Sequence, residues 1–262
     1  MRRFTVLVVG CTGVVACLFP DAAPAQPATP IPPVTDGDRA AAFPDVEAHA
    51  MQDSAVHAFV LVDQLEWHGG DTHEGPSWDS TGWIGGDQNR LWFRTEGDVD
   101  GGHLGETEAH VLYGRAFARW WDVVVGLRQD ARPGPAQSWL AVGVQGLAPY
   151  WFEIEATAYI GTGGRTAARL VAEYELLLTN RLVLQPVVEF NLFGKTDVER
   201  GFGAGLSTVD GELRLRYEIR REFAPYIGIR WRDTFGDTSR LAAAAGESAG
   251  SRRLVAGLRF WF

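Results

Sequence analysis

Past residue 17 this chain has no cysteine: Cys11 and Cys17 are its only two, both near the start. That excludes a disulfide framework and a cysteine-based zinc site for the rest of the molecule. Lysine is nearly absent as well. Lys195 is the only one, so almost all positive charge is arginine. Methionine occurs only at Met1 and Met51. Basic excess is missing, since the net charge is -9, and a nucleic-acid binder would carry a basic face. Long apolar runs are missing too. Hydrophobic residues make up 46% of the chain, yet mean hydropathy is only -0.09. The body therefore holds no run of the ~18–20 apolar residues that a spanning helix needs.

What is present begins with a leader. Arg2 and Arg3 precede an apolar run from Phe4 to Phe19, and Ala23-Pro24-Ala25 follows. This reads as a secretory signal peptide over 1–25. "VVAC", Val14 to Cys17, resembles a lipoprotein processing site, an alternative fate for the same leader. Residues 26–55, with "QPATPIPPVTDGD", are rich in proline and alanine and show no apolar period. They read as a flexible linker.

From about Phe59 the apolar period is two. In "FEIEATAYI", Phe152, Ile154, Ala156, Ala158 and Ile160 alternate with Glu153, Glu155, Thr157 and Tyr159. "ARLVAEYEL", "LVLQPVVEFNL" and "GELRLRYEI" repeat the pattern. Such alternation marks strands. These segments exceed the usual ~5–6 residues of a globular strand and match the ~9–11 of a tilted membrane strand. Short connections ("ARW", "AP", "TN", "RRE") alternate with long ones ("GDVDGGHLG", "ARPGPAQ", "FGKTDVERGFGAG", "FGDTSRLAAAAGESAG"). Aromatics gather at strand ends: Trp120, Trp121, Tyr150, Trp151, Phe193, Phe223, Tyr226, Trp231 and Phe235. The expectation is an all-β protein over 56–262, a transmembrane antiparallel outer-membrane β-barrel with 12 strands, or 10 as the alternative. A soluble sandwich or lipocalin-like barrel also alternates, with its faces exchanged. Pro186, in mid-strand, calls for a local bulge.

The expected lumen face is charged with both signs. It holds Glu106, Glu108, His110, Asp122, Arg128, Glu153, Glu155, Arg169, Glu173, Glu175, Glu189, Glu212, Arg214, Arg216 and Glu218. Two readings stand side by side: a structural ion-pair network filling a narrow barrel, or a polar path for cations. The histidines all precede residue 111. "HAMQDSAVH" places His49, Met51 and His57 within nine residues. Imidazole and thioether together suit copper. "HGGDTHE" places His68, Asp71, His73 and Glu74 in one expected outer loop. No serine–histidine pair has an orienting partner, so the chain does not read as an enzyme.

Several phrases carry a resemblance: "DQLEW", "GWIGGDQNRLWFRTEG", "VGVQGLAPYWFEIEATAYIG", "RLVAEYELLLTNRLVLQP", "LRLRYEIRREFAPYIGIRW", "FGDT" and "VAGLRFWF". Over Val56 to Phe262 the chain resembles the copper resistance protein B family. The resemblance implies an outer-membrane protein of Gram-negative bacteria that binds copper or helps keep it out of the periplasm. The implied partners are copper ions, outer-membrane lipids and a periplasmic copper protein. Many members carry a linker of repeated methionine and histidine motifs, and this chain departs there, with only His49, Met51 and His57. Finally, the chain ends "LRFWF". Leu254, Ala256, Leu258, Phe260 and Phe262 are expected on the lipid face. A terminal phenylalanine resembles the signal read by the barrel-assembly machinery.

Overall fold

The computed structural model describes residues 32–42, 55–69, 74–246 and 248–262. The chain divides into two units, Met1–Met51 and Gln52–Phe262. In the first, the described residues carry one helix, α1 (Asp36–Ala42), inside the segment expected as a linker. Thr35 and Asp38 cap it reciprocally: the Asp38 amide donates to Thr35 Oγ1, and the Thr35 amide donates to Asp38. Those bonds from Thr35 hold the exposed Asp38 carboxyl below its ordinary pKa.

The second unit is a closed antiparallel barrel. Its strands are β1 (His57–Gly69), β2 (Gly75–Gly85), β3 (Asn89–Asp100), β4 (His103–Ala118), β5 (Trp121–Arg132), β6 (Gln137–Ala148), β7 (Phe152–Gly161), β8 (Arg165–Glu173), β9 (Leu176–Leu177), β10 (Leu182–Phe193), β11 (Gly205–Tyr217), β12 (Phe223–Thr234) and β13 (Gly250–Trp261). β8 and β9 both pair with β10 and are two pieces of one stave, which makes twelve staves. Each stave bonds to its sequence neighbours, and β13 closes on β1. The expected twelve-stranded barrel is what the chain forms.

The two faces are inverted relative to a soluble protein. Large apolar side chains such as Phe93, Leu127, Ile160, Ile227 and Leu254 stand exposed on the outer wall. Arg214, Arg216, Glu66 and Gln185 are buried on the inner one. A belt of outward apolar surface with charges inside is the arrangement that lipid, not water, stabilises. The start of β1 at His57 and the chain end at Phe262 lie with the short turns. The longer loops, including α2 (Gly236–Ala245) after β12, lie at the opposite end.

The structure corrects several local expectations. "GDVDGGHLG" is not a long loop: β3 and β4 run on to a two-residue turn, Gly101-Gly102, with φ of 57° and 82°. Glycine suits both positions, since each lies in the left-handed region. No bulge forms at Pro186. It pairs in register with Leu213 on one side. On the other side the stave is interrupted at Tyr174-Glu175, between β8 and β9. There Pro186 still accepts a bond from the Tyr174 amide at 3.1 Å. The missing N–H therefore falls where the ladder is already broken. Two expected girdle aromatics also turn inward. Tyr226 is buried with its hydroxyl on Glu66, and Phe193 stacks on Phe202.

Candidate functional site

The lumen is where this chain concentrates chemistry. The two-residue period sends alternate residues of every stave inward, so acids and arginines from distant parts of the sequence meet there. At mid-height Arg169 on β8 makes a bidentate contact with Glu108 on β4, at 2.6 and 2.9 Å. Arg128 reaches the same carboxylate at 2.6 Å, and His110 Nε2 lies 2.8 Å from it. Arg169 also pairs with Glu189 at 3.2 Å. Glu96 on β3 sits between Arg169 at 3.7 Å and Arg230 on β12 at 3.9 Å. Those three staves lie well apart around the ring, so the contacts cross the lumen.

A second group joins the seam. Arg214 is held by Glu212 on its own strand and by Glu66 on β1 at 3.1 Å. Glu66 also accepts from Tyr226 at 2.8 Å, and Gln64 donates to Glu212 at 3.2 Å. Towards the short-turn end, Arg94 contacts Glu155 and donates to Gln145. Arg216 donates to Gln185 and Glu175, and Gln185 donates to Glu173. Glu153 stands exposed at that end of β7. Glu153, Glu155, Arg169, Glu173, Glu189, Arg214 and Arg216 all stand on the charged inward rows of their staves.

Alternation did not reveal an apolar patch within the lumen. Leu112, Val124, Trp139, Ala141 and Tyr159 form a buried cluster, with Trp92 against it. Arg128 lies over the Tyr159 ring at 4.8 Å. These residues stand on the same inward rows as the charges, so no period separates them. At the long-loop end, Asp130 gathers Arg128, Trp139 Nε1 and Arg200. Burial draws the Arg200 guanidinium below its ordinary pKa, while Asp130 opposes that.

Of the candidate copper ligands the structure describes two, His57 and His68, and these lie far apart. His57 is exposed where β1 begins, and His68 is buried near its other end, inside the strand and not in the loop. Eleven steps along the strand separate them by about 36 Å. His49, Met51 and His73 lie outside the described residues. Among the described residues, no group of three or more His, Cys, Asp or Glu side chains is placed to hold a metal ion.

Inverted faces, twelve antiparallel staves and a charged, narrow lumen define a transmembrane β-barrel of the outer-membrane class. The NanC porin has the same kind of fold: its structure superposes with a TM-score of 0.50 at 11% identity, over 78% of this chain and 99% of that one. Residues 56–262 match the family model described as "Copper resistance protein B precursor (CopB)". "Copper resistance protein B" of Escherichia coli is 51% identical over 89% of this chain and 79% of its own length. "Copper resistance protein B homolog" of Pseudomonas syringae pv. tomato is 50% identical over 92% and 82%. The chain belongs to the copper resistance protein B family.

Proposed function

We propose that this protein serves copper resistance from the outer membrane, binding copper ions and limiting their presence in the periplasm. Family membership over the whole barrel is the observation that carries this reading. In it, residues 1–25 are an export signal and 26–55 a periplasmic linker. The short turns and both barrel termini face the periplasm. Phe262 is presented to the barrel-assembly machinery, and a periplasmic copper protein is the partner at that end. The barrel itself is not an enzyme. His49, Met51 and His57 form the periplasmic copper site, with His68 and His73 at the outer end.

The test is copper titration of the mature protein, with and without residues 26–58. Removal should weaken binding clearly. Binding no tighter than in a variant with His49, Met51 and His57 all changed to alanine would overturn the copper site. Copper tolerance of a deletion strain tests the role separately.

A second reading, a narrow cation path, has its own support. The lumen arginines are largely covered, Arg214 and Arg216 with side chains only 1% and 2% exposed. Several carboxylates are not: Glu106 is 46% exposed, Glu155 40% and Glu96 38%. The wetted part of the lumen is therefore acidic, and acidic linings favour cations. The two readings are compatible, since copper ions are themselves cations.

A further inference from the structure

The loop between β10 and β11, residues 194–204, does not lie like a surface connection. Asp197 and Phe202 bridge each other with two backbone bonds, 2.7 and 3.0 Å, which folds the loop into a small hairpin. Its base is fixed. Phe202 stacks on Phe193 with centroids 4.4 Å apart and planes 7° from parallel. The Gly203 amide donates to Thr238 of α2 at 2.8 Å. Its tip carries Arg200, and the hairpin reaches past β8, β7 and β6 to β5. Arg200 donates to Asp130 Oδ2 on β5 at 2.9 Å and to the Pro135 carbonyl at 2.6 Å. Both side chains of the Arg200–Asp130 pair are only 4% exposed. Midway, Asp197 meets Arg165 at 3.0 Å.

The residues beneath need such a cover. Asp130, Gln137 and Trp139 stand at the long-loop end, where a lumen would open to water, yet all three are buried. A cavity of about 10 Å³ remains between the hairpin and the wall, room for about one water. The contacts differ in kind along the loop. The base is held by stacking and backbone bonds, whereas the tip is held through one arginine. Gly194 and Gly205 stand at the two feet, Gly205 with φ of 91°.

We propose that this hairpin is a hinged lid over the β5–β8 side of the long-loop mouth, latched by Arg200 on Asp130. Releasing the latch exposes the lumen residues beneath it to solvent while the barrel stays intact. Arg200 supplies the bonds from the tip to Asp130 and to the Pro135 carbonyl, so the closed position depends on it, while Asp130 keeps Arg128 and Trp139 when Arg200 is lost. This inference stands apart from any role of copper.

Cysteine labelling tests it cleanly, because the chain past residue 17 has no thiol of its own. Three single reporters are introduced: Gln137→Cys under the lid, Ala224→Cys buried towards the short-turn end, and Ser248→Cys in an exposed loop. Each is labelled by a charged thiosulfonate in purified barrel, with Arg200 intact and as Arg200→Ala. Loss of the latch should speed labelling at position 137 by about tenfold or more, since local opening sets the rate. Positions 224 and 248 should keep their rates. An unchanged rate at 137 overturns the lid. A matching rise at 224 also overturns it, because the whole barrel would then have loosened. Heat-modifiable gel mobility confirms assembly. Should R200A fail to assemble, Arg200→Gln keeps the stem, removes the charge and carries the same comparison.

Discussion

Arg214 shows most directly how a single residue supports this fold. It is buried between Glu66 and Glu212, with the Tyr226 ring 5.6 Å from its guanidinium carbon. Arg214→Ala would strand the Glu66 carboxylate inside the lumen, whereas Glu212 keeps Arg230. Breaking a buried pair by removing one partner costs about 3–5 kcal/mol. The expected outcome is a large drop in the temperature at which the compact band is lost on gels. Replacing Arg214 and Glu66 together by apolar residues of similar volume should cost far less, because Glu212 keeps Arg230 and no charge is then orphaned. At this scale the sequence was informative about direction and silent about partnership. Period two put Arg214, Arg216, Arg169 and Glu189 on the inward face. It could not say that Arg214 meets Glu66, which lies 148 residues away, because that contact depends on barrel closure. Nor could it mark Leu112 or Val124 as lumen residues, since an apolar residue inside looks the same in sequence as one facing lipid.

Elements were legible where alternation was long and weakest where strands broke or turned. The β3–β4 hairpin was obscured because Asp98, Asp100 and two glycines resemble a loop, whereas the structure uses the glycines only for the turn. The β8–β9 break was invisible because Tyr174 and Glu175 continue the alternation. Two tests belong here. On the outer wall Trp78 lies over Gly97, where a Cβ would stand 2.5 Å from the ring. Its indole nitrogen donates to Thr95 at 3.2 Å. Gly97→Val should expel the indole and destabilise the barrel by about 1–3 kcal/mol, the usual cost of overpacking. An unchanged unfolding midpoint would show the indole to be loosely held. At the seam, Phe262 exchanges two backbone bonds with Val60, both 3.0 Å. Deleting it removes both, each worth about 0.5–1.5 kcal/mol, together with an aromatic from the rim. Assembled barrel in outer-membrane fractions should fall, and normal assembly would count against a role for this terminus.

For the whole molecule, the balance of lumen charge is what the proposed cation path rests on. Paired arginines line the wall and are mostly covered, whereas Glu96, Glu106 and Glu155 keep about two fifths of their surface in water. A narrow, low-dielectric bore concentrates the field of such groups, so a passing ion meets net negative charge. Glu96 adds a constraint, because its contacts with Arg169 and Arg230 span the bore at mid-height. Substituting it leaves Arg169 on Glu108 and Glu189, and Arg230 on Glu212, so the remaining lattice stays paired. In planar bilayers under a salt gradient, the barrel should show small conductance with a reversal potential of cationic sign. Glu96→Gln with Glu155→Gln should move that potential towards zero. Glu96→Ala alone should raise the conductance by removing the crossing side chain. A reversal potential of anionic sign in the unaltered protein would mean that the covered arginines, and not the wetted carboxylates, set the field of the lumen.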